Sequence, residues 1–182
     1  MTYDIIRSRR RTMAAQIKDG RLIVRAPLFA TDAEIHNFVQ KHQRWAEKHL
    51  AESQVLNAVQ PLTPGELRHL AEQAKGVIPR RVAYYAPLIG VTYGRITIRA
   101  QHSRWGSCSA KGNLNFNCLL MLTPPEVLDS VVVHELCHRR EMNHSPKFYA
   151  QVLRVCPDYP KWHNWLKQNG PALMRRIPKK KS

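Results

Sequence analysis

The spacing of apolar positions changes several times along this chain, and each change marks a predicted element. Ala15-Gln16-Ile17-Lys18 and Arg21-Leu22-Ile23-Val24 flank Asp19-Gly20, a dipeptide suited to a two-residue type I′ turn, so the first thirty residues read as β-structure around a hairpin. Arg9-Arg10-Arg11 falls on an earlier strand or loop and is expected at the surface. From Thr31 the spacing turns helical. Thr31 and Glu34 form a capping box, and Ile35, Phe38, Val39, Ala46 and Leu50 lie on the apolar stripe of a single predicted helix. Residues 54–62 read as a linker. Thr63-Pro64-Gly65-Glu66, a second capping box with Pro at the first helical position, opens a helix through about Val77; Pro79 and Pro87 are expected to break the chain beyond it into shorter helical pieces.

Period two returns at Arg95-Ile96-Thr97-Ile98-Arg99 and, after a turn at Ala110-Lys111-Gly112, at Asn113-Leu114-Asn115-Phe116-Asn117-Cys118. Leu114, Phe116 and Cys118 share one face and the three asparagines the other, which predicts a strand with one wet side. Thr123-Pro124-Pro125-Glu126 reads as a third capping box. It opens a helix whose Val127, Leu128, Val131, Val132, Leu136 and Cys137 spread around most of its circumference, so that helix is expected to be buried. Ser145-Pro146 starts another helix carrying Phe148, Val152 and Leu153, and the tail from Arg175 to Lys181 is expected to fray. Runs of strands and helices in this order give an α+β class. The expected organisation is one domain over 1–172, with a hairpin region plus helix in 1–60 and the main core in 61–172, followed by a basic tail over 173–182.

Composition narrows this picture. The longest apolar runs, such as Val131-Val132-Val133, fall far short of the ~18 residues a membrane span needs. The N-terminus has no apolar stretch before its first charges, which argues against a secretory signal. Four cysteines, at 108, 118, 137 and 156, contain no CxxC pair, so a zinc ribbon or thioredoxin-like site is not written here. A cytoplasmic protein with reduced thiols is expected, with Cys118 and Cys137 serving as small core residues. Twenty-nine basic against 13 acidic residues leave a net charge of +16, and residues 151–182 hold eight bases and one acid. Such a field favours polyanions, nucleic acid among them, through the basic surface and tail.

The candidate chemistry lies in His134-Glu135-Leu136-Cys137-His138, an H-E-x-x-H motif on the predicted buried helix. Residues four apart on a helix differ by only about 40° around its axis, so both imidazoles can reach one ion. Glu135, beside the first of them, can face a metal-bound water and take its proton. A catalytic zinc wants a third ligand and an open position. Beyond His144 the chain has no Glu and one acid, Asp158, and its remaining histidine there is His163. A straight helix would carry His144 ~15 Å from His134, so the helix must end first. Asn143 could terminate it in left-handed conformation, leaving His144 on a bend that points back. His144 is the favoured third ligand, with Asp158 and His163 as alternatives.

Four stretches, Arg104-Trp105-Gly106-Ser107-Cys108, Leu114-Asn115-Phe116-Asn117, the H-E-x-x-H motif and Asn143-His144-Ser145-Pro146-Lys147-Phe148-Tyr149, together resemble the YgjP-like zinc metallopeptidases, relatives of the WLM and SprT-type proteases. The similarity extends from the N-terminal hairpin, ending Val24-Arg25-Ala26-Pro27, to about residue 170. It implies a zincin-like catalytic domain, its buried motif helix beside a small mixed or antiparallel sheet. It also implies one Zn²⁺ per chain on His134, His138 and His144, Glu135 as catalytic acid and base, and protein or peptide substrates. The metzincin pattern shares the ligand spacing but wants Gly where this chain has Glu141.

In zincins an edge strand beside the motif helix often pairs with extended substrate, which makes the segment from Trp105 to Asn117 the candidate and Arg104, Trp105 and Asn115 candidate substrate contacts. Arg104, Tyr149 and His163 are candidate donors to a developing oxyanion, and Tyr159, Trp162 and Trp165 read as core packing. The competing function is a nucleic-acid-binding protein with a structural metal. WLM and SprT-type relatives act on proteins attached to DNA, so the resemblance also admits a DNA-associated protease combining both.

Overall fold

The structure, a computed structural model, describes residues 1–178. Packing divides the chain between Val59 and Gln60 into two compact units. The first holds β1 (Tyr3–Ser8), β2 (Ala14–Lys18), β3 (Arg21–Pro27), α1 (Asp32–Lys41) and α2 (Gln43–Asn57). Asp19 and Gly20 both take positive φ, 51° and 78°, as the type I′ turn between β2 and β3 requires. β3 is the centre strand, antiparallel to β2 and parallel to β1. Its Leu22, Val24 and Ala26 are buried with Ile35 and Val39 of α1 and Ala46 of α2.

The capping box at Thr31 and Glu34 forms, but the single helix expected from Thr31 to Leu50 is interrupted at His42. There the ring Nδ1–H donates to the Phe38 carbonyl (2.8 Å) that the backbone would have used, and the backbone N–H turns to Val39 instead (3.1 Å). A side chain competing for a helix carbonyl leaves no trace in apolar periodicity. α2 also runs on to Asn57, into the stretch read as linker.

The second unit holds the remaining elements: α3 (Pro64–Ile89), β4 (Ile96–Arg99), β5 (Gly106–Cys108), β6 (Leu114–Asn117), α4 (Pro125–Cys137), α5 (Pro146–Val155) and α6 (Tyr159–Arg175), with a 3₁₀ turn over Cys118–Leu122. α3 passes through Pro79 and Pro87 without a break, against expectation. Leu70, Ala74, Ile78, Val82 and Ala86 form one buried stripe at every fourth residue, while the carbonyls the prolines leave unbonded belong to exposed Lys75 and Ala83. Burial along the stripe outweighs two missing hydrogen bonds on the wet side. The helix stops at Gly90, whose left-handed conformation (φ 74°) returns its N–H to Ala86 at 2.9 Å.

β6 is central in the second sheet, parallel to β4 and antiparallel to β5, so β5 is an edge strand, and it packs beside α4. Leu114 and Phe116 enter the core, as the alternation requires. The opposite face is not uniformly wet. Asn117 is buried, its amide Nδ2 donating to the carbonyls of Gln101 (2.7 Å) and Arg104 (2.9 Å) and its Oδ1 accepting from the Leu119 N–H (3.1 Å). It thereby pins the loop before β5 to the start of the 3₁₀ turn.

The third capping box does not form. Pro124 occupies the cap, and the Thr123 hydroxyl donates to the Leu120 carbonyl at 2.8 Å, so the turn below claims it. Burial of α4 follows the pattern, with Val127, Leu128, Val131, Val132, Leu136 and Cys137 all buried. α5 is capped by Ser145 as read. α6 continues to Arg175, Ile177 is buried, and the Arg176 carbonyl accepts from the Leu62 N–H at 2.7 Å. Fraying from Arg175 is thus corrected as far as Ile177, and the lysines at 179–181 lie outside the described residues. All four cysteines are free, with Cys118 and Cys137 buried. No helix among the described residues is long and apolar enough to cross a membrane.

Candidate metal centre

His134 sits in the last turn of α4 and His138 caps it, so a rigid helix sets both imidazoles. The chain then tightens: the N–H groups of Arg140 and Glu141 both return to the Cys137 carbonyl (3.0 and 3.1 Å), and the His138 Nδ1–H donates to the Glu141 carbonyl (3.1 Å). This turn, rather than Asn143, ends the helix, because Asp19 is the one non-glycine with positive φ among the described residues. Ser145 then starts α5 and leaves His144 on the bend between the two helices.

The three imidazoles converge. His134 Nε2 lies 3.2 Å from His138 Nε2 and 3.1 Å from His144 Nε2, and one ligand atom from each falls within 4.8 Å of the others. Nitrogens on a tetrahedral zinc with bonds of about 2.0–2.1 Å stand roughly 3.3 Å apart, so the spacing fits the ion. The chemistry of the donors fits too. His138 commits its N–H to a carbonyl and must turn the lone pair of Nε2 inward. Burial, reinforced by the charges of His138, His144 and His163, pushes His134 down to about 3, and burial also lowers His138, so both are neutral near pH 7. Where all three Nε2 lone pairs face that point, a few ångströms apart, they repel unless a cation lies between them. Among the described residues no cysteine or carboxylate joins the cluster, so it lacks the fourth donor a closed structural site needs.

Phe148, fully buried on the first turn of α5, stacks on His138 at 4.6 Å and meets His134 and His144 edge-on at 4.9 and 5.0 Å. Asp158 and His163 do not join the cluster. Tyr159 does approach it, its hydroxyl 2.8 Å from His134 Nδ1 and 3.3 Å from His163 Nδ1, so a residue read as core packing touches a candidate ligand. The Tyr159 to His163 spacing of four on a helix was the signal available in the sequence. Trp162 and Trp165 are half-buried.

Glu135 is buried beside the cluster, and burial, opposed by the Arg104 charge, raises its carboxyl to about 8. Its neighbour across the strand is Gly106 of β5. A methyl group there would stand 2.6 Å from Glu135 Oε1 and 2.7 Å from Cγ, so only glycine lets the edge strand lie this close. Gly106→Ala is therefore expected to displace the carboxyl and lower any turnover that depends on it by about 10²-fold, a loss typical of ~1 Å misplacement. Zinc content and turnover measured together check this, since the metal should remain.

Arg104, Trp105 and Gly106 line a cavity of about 200 Å³ with Val131, Leu166 and Glu135. Arg104 is exposed, and Trp105 is half-buried with its indole against Gly170. Asn115 lies on β6, its amide donating to the Ser107 hydroxyl at 3.2 Å, and does not line the cavity.

None of the curated proteins matches this chain. A crystal structure of the metallopeptidase zymogen of Pyrococcus abyssi abylysin is similar at a TM-score of 0.46 and 17% identity, over 50% of this chain and 94% of that one, a likeness too slight to argue from. The family model of the YgjP-like metallopeptidase domain matches residues 11–68 and 66–169, which take in both units and every residue of the cluster. On that match the chain belongs to the YgjP-like metallopeptidases, hydrolases that act on protein or peptide substrates.

Proposed function

We propose that this chain is a zincin-like, zinc-dependent peptidase in which His134, His138 and His144 hold one ion and Glu135 moves the protons of hydrolysis. The observation that carries the reading is the convergence of three imidazole nitrogens at zinc-like spacing with a buried carboxyl beside them. An ion so held supplies Lewis acidity, which brings water within reach of deprotonation near neutral pH. Glu135 takes that proton and delivers it to the departing amine, as its buried place beside His134 at the same cavity allows. The free edge of β5 offers backbone N–H and C=O groups to an extended peptide, as strand addition requires. The cavity between Trp105, Val131 and Leu166 gives room for an apolar side chain next to the scissile bond. Arg104 stands at the same cavity and is the favoured contact for a carbonyl gaining negative charge.

Unpaired thiols at all four cysteines suit a reducing, cytoplasmic setting. The basic surplus is largest in residues 1–50 and 151–182, and among the described residues no feature singles out a nucleic acid as partner. Elemental analysis of the purified chain tests the centre: one zinc per chain is expected, and His144→Ala should lose it on dialysis. A variant that retained a full equivalent would remove His144 from the ligand set.

A further inference from the structure

A histidine can present its metal-facing nitrogen in two states, and something must choose between them. If the proton of neutral His134 sits on Nε2, the ring points a hydrogen at its two companions and binds no cation. If it sits on Nδ1, the lone pair faces inward. A hydroxyl such as that of Tyr159 can donate to Nδ1 or accept from it, so by itself it decides nothing. His163 breaks the tie. Its Nδ1 lies 3.3 Å from the Tyr159 oxygen, one turn along α6, with the two rings 5.5 Å apart and 28° from parallel. When that nitrogen accepts the phenolic proton, the Tyr159 lone pair is left facing His134, 2.8 Å away.

From this row of His134, Tyr159 and His163 we infer that Tyr159 is a positioning residue that fixes His134 in its metal-binding tautomer, and that His163 acts through Tyr159 by accepting its hydrogen bond. The inference rests on the reading of the three imidazoles as the ligand set. Tyr159 is buried and its ring lies nearly parallel to that of His134 (16°), so the contact is held by packing and not by a mobile surface chain. His163 is exposed and outside the cluster of three, and its hydrogen bond to the phenol is the contact that links its ring to that of His134. Outer partners of this kind typically tune metal affinity by 10–100-fold.

The test uses the full chain and its Tyr159→Phe, His163→Ala and double variants, with zinc affinity measured by chelator competition and the His134 ring nitrogens of the zinc-free protein followed by ¹⁵N NMR. Tyr159→Phe should weaken zinc binding by about 10–100-fold while zinc-free thermal stability stays near wild type, and its His134 proton should shift from Nδ1 towards Nε2. His163→Ala should weaken binding less, and should add nothing once Tyr159 is Phe. Unchanged affinity in Tyr159→Phe, or a His163→Ala loss that persists in the double variant, overturns the inference and leaves the ligand set standing. A wild-type chain that takes up no zinc sinks the ligand set itself.

Discussion

Replacing Glu135 with Gln is expected to lower peptide-hydrolysing turnover by about 10²–10⁴-fold, the usual worth of a positioned general base, while one zinc per chain remains bound. Gln keeps the shape that fits against Gly106, so the strand and helix need not move. It keeps no basic oxygen to take a proton. The carboxyl is not among the three converging donors, so metal content should not follow activity. A stability measurement separates this from general damage. Burial holds the Glu135 carboxyl at about 8, above its value in an unfolded chain, so in the zinc-free protein its contribution to stability is fully present below the unfolded value and is lost as pH rises through about 8. At pH 7 the zinc-free Gln variant should therefore melt no lower than the zinc-free wild type, and its melting temperature should vary less between pH 7 and 8, above the range in which His134 and His138 oppose the trend. A turnover that survives the substitution, measured on zinc-loaded protein, ends Glu135's assignment as the proton carrier.

Phe148→Ala carries the second large effect. The side chain is fully buried, and emptying such a site costs about 3–5 kcal/mol in lost transfer energy and residual cavity. For a chain of this length that corresponds to a melting temperature lower by roughly 10 °C. The damage should not stop at stability, because the same ring backs all three imidazoles at 4.6–5.0 Å. Without it the rings can turn, and zinc affinity should fall alongside stability. Phe148→Leu, which fills much of the volume, should recover most of the melting temperature. Calorimetry and chelator competition on the two variants read both quantities, and an alanine variant with wild-type affinity would reduce Phe148 to a packing residue.

The parts of this structure that could be read in the sequence are those written in short-range chemistry. Asp19-Gly20 needs two positive φ angles and little else, so the hairpin was legible. Thr31, Thr63 and Ser145 accept from N–H groups three residues on, within reach of any helix start. H-E-x-x-H defines one helix face, and the missing glutamates downstream directed attention to His144, which the bend does bring to the other two rings. What stayed hidden was decided by partners distant in sequence or by a neighbouring turn. Thr123 has the spacing of a cap and is claimed by the preceding turn. Asn117 has the spacing of a wet face and is buried by a loop whose carbonyls it satisfies. α3 survives two prolines because the core on its other side holds it as one helix. Tyr159 looks like any core aromatic until the fold sets α6 against α4.

The three candidate ligands differ in how they meet solvent: His138 is buried, His134 half-buried and His144 exposed. Two donors thus wait preset on a helix while the third stands exposed on the bend between α4 and α5, against the buried Phe148 ring. The exposed donor is the one an entering ion or a chelator meets first. Exchange with a chelator should then run far faster than unfolding, and the protein should survive repeated stripping and reloading.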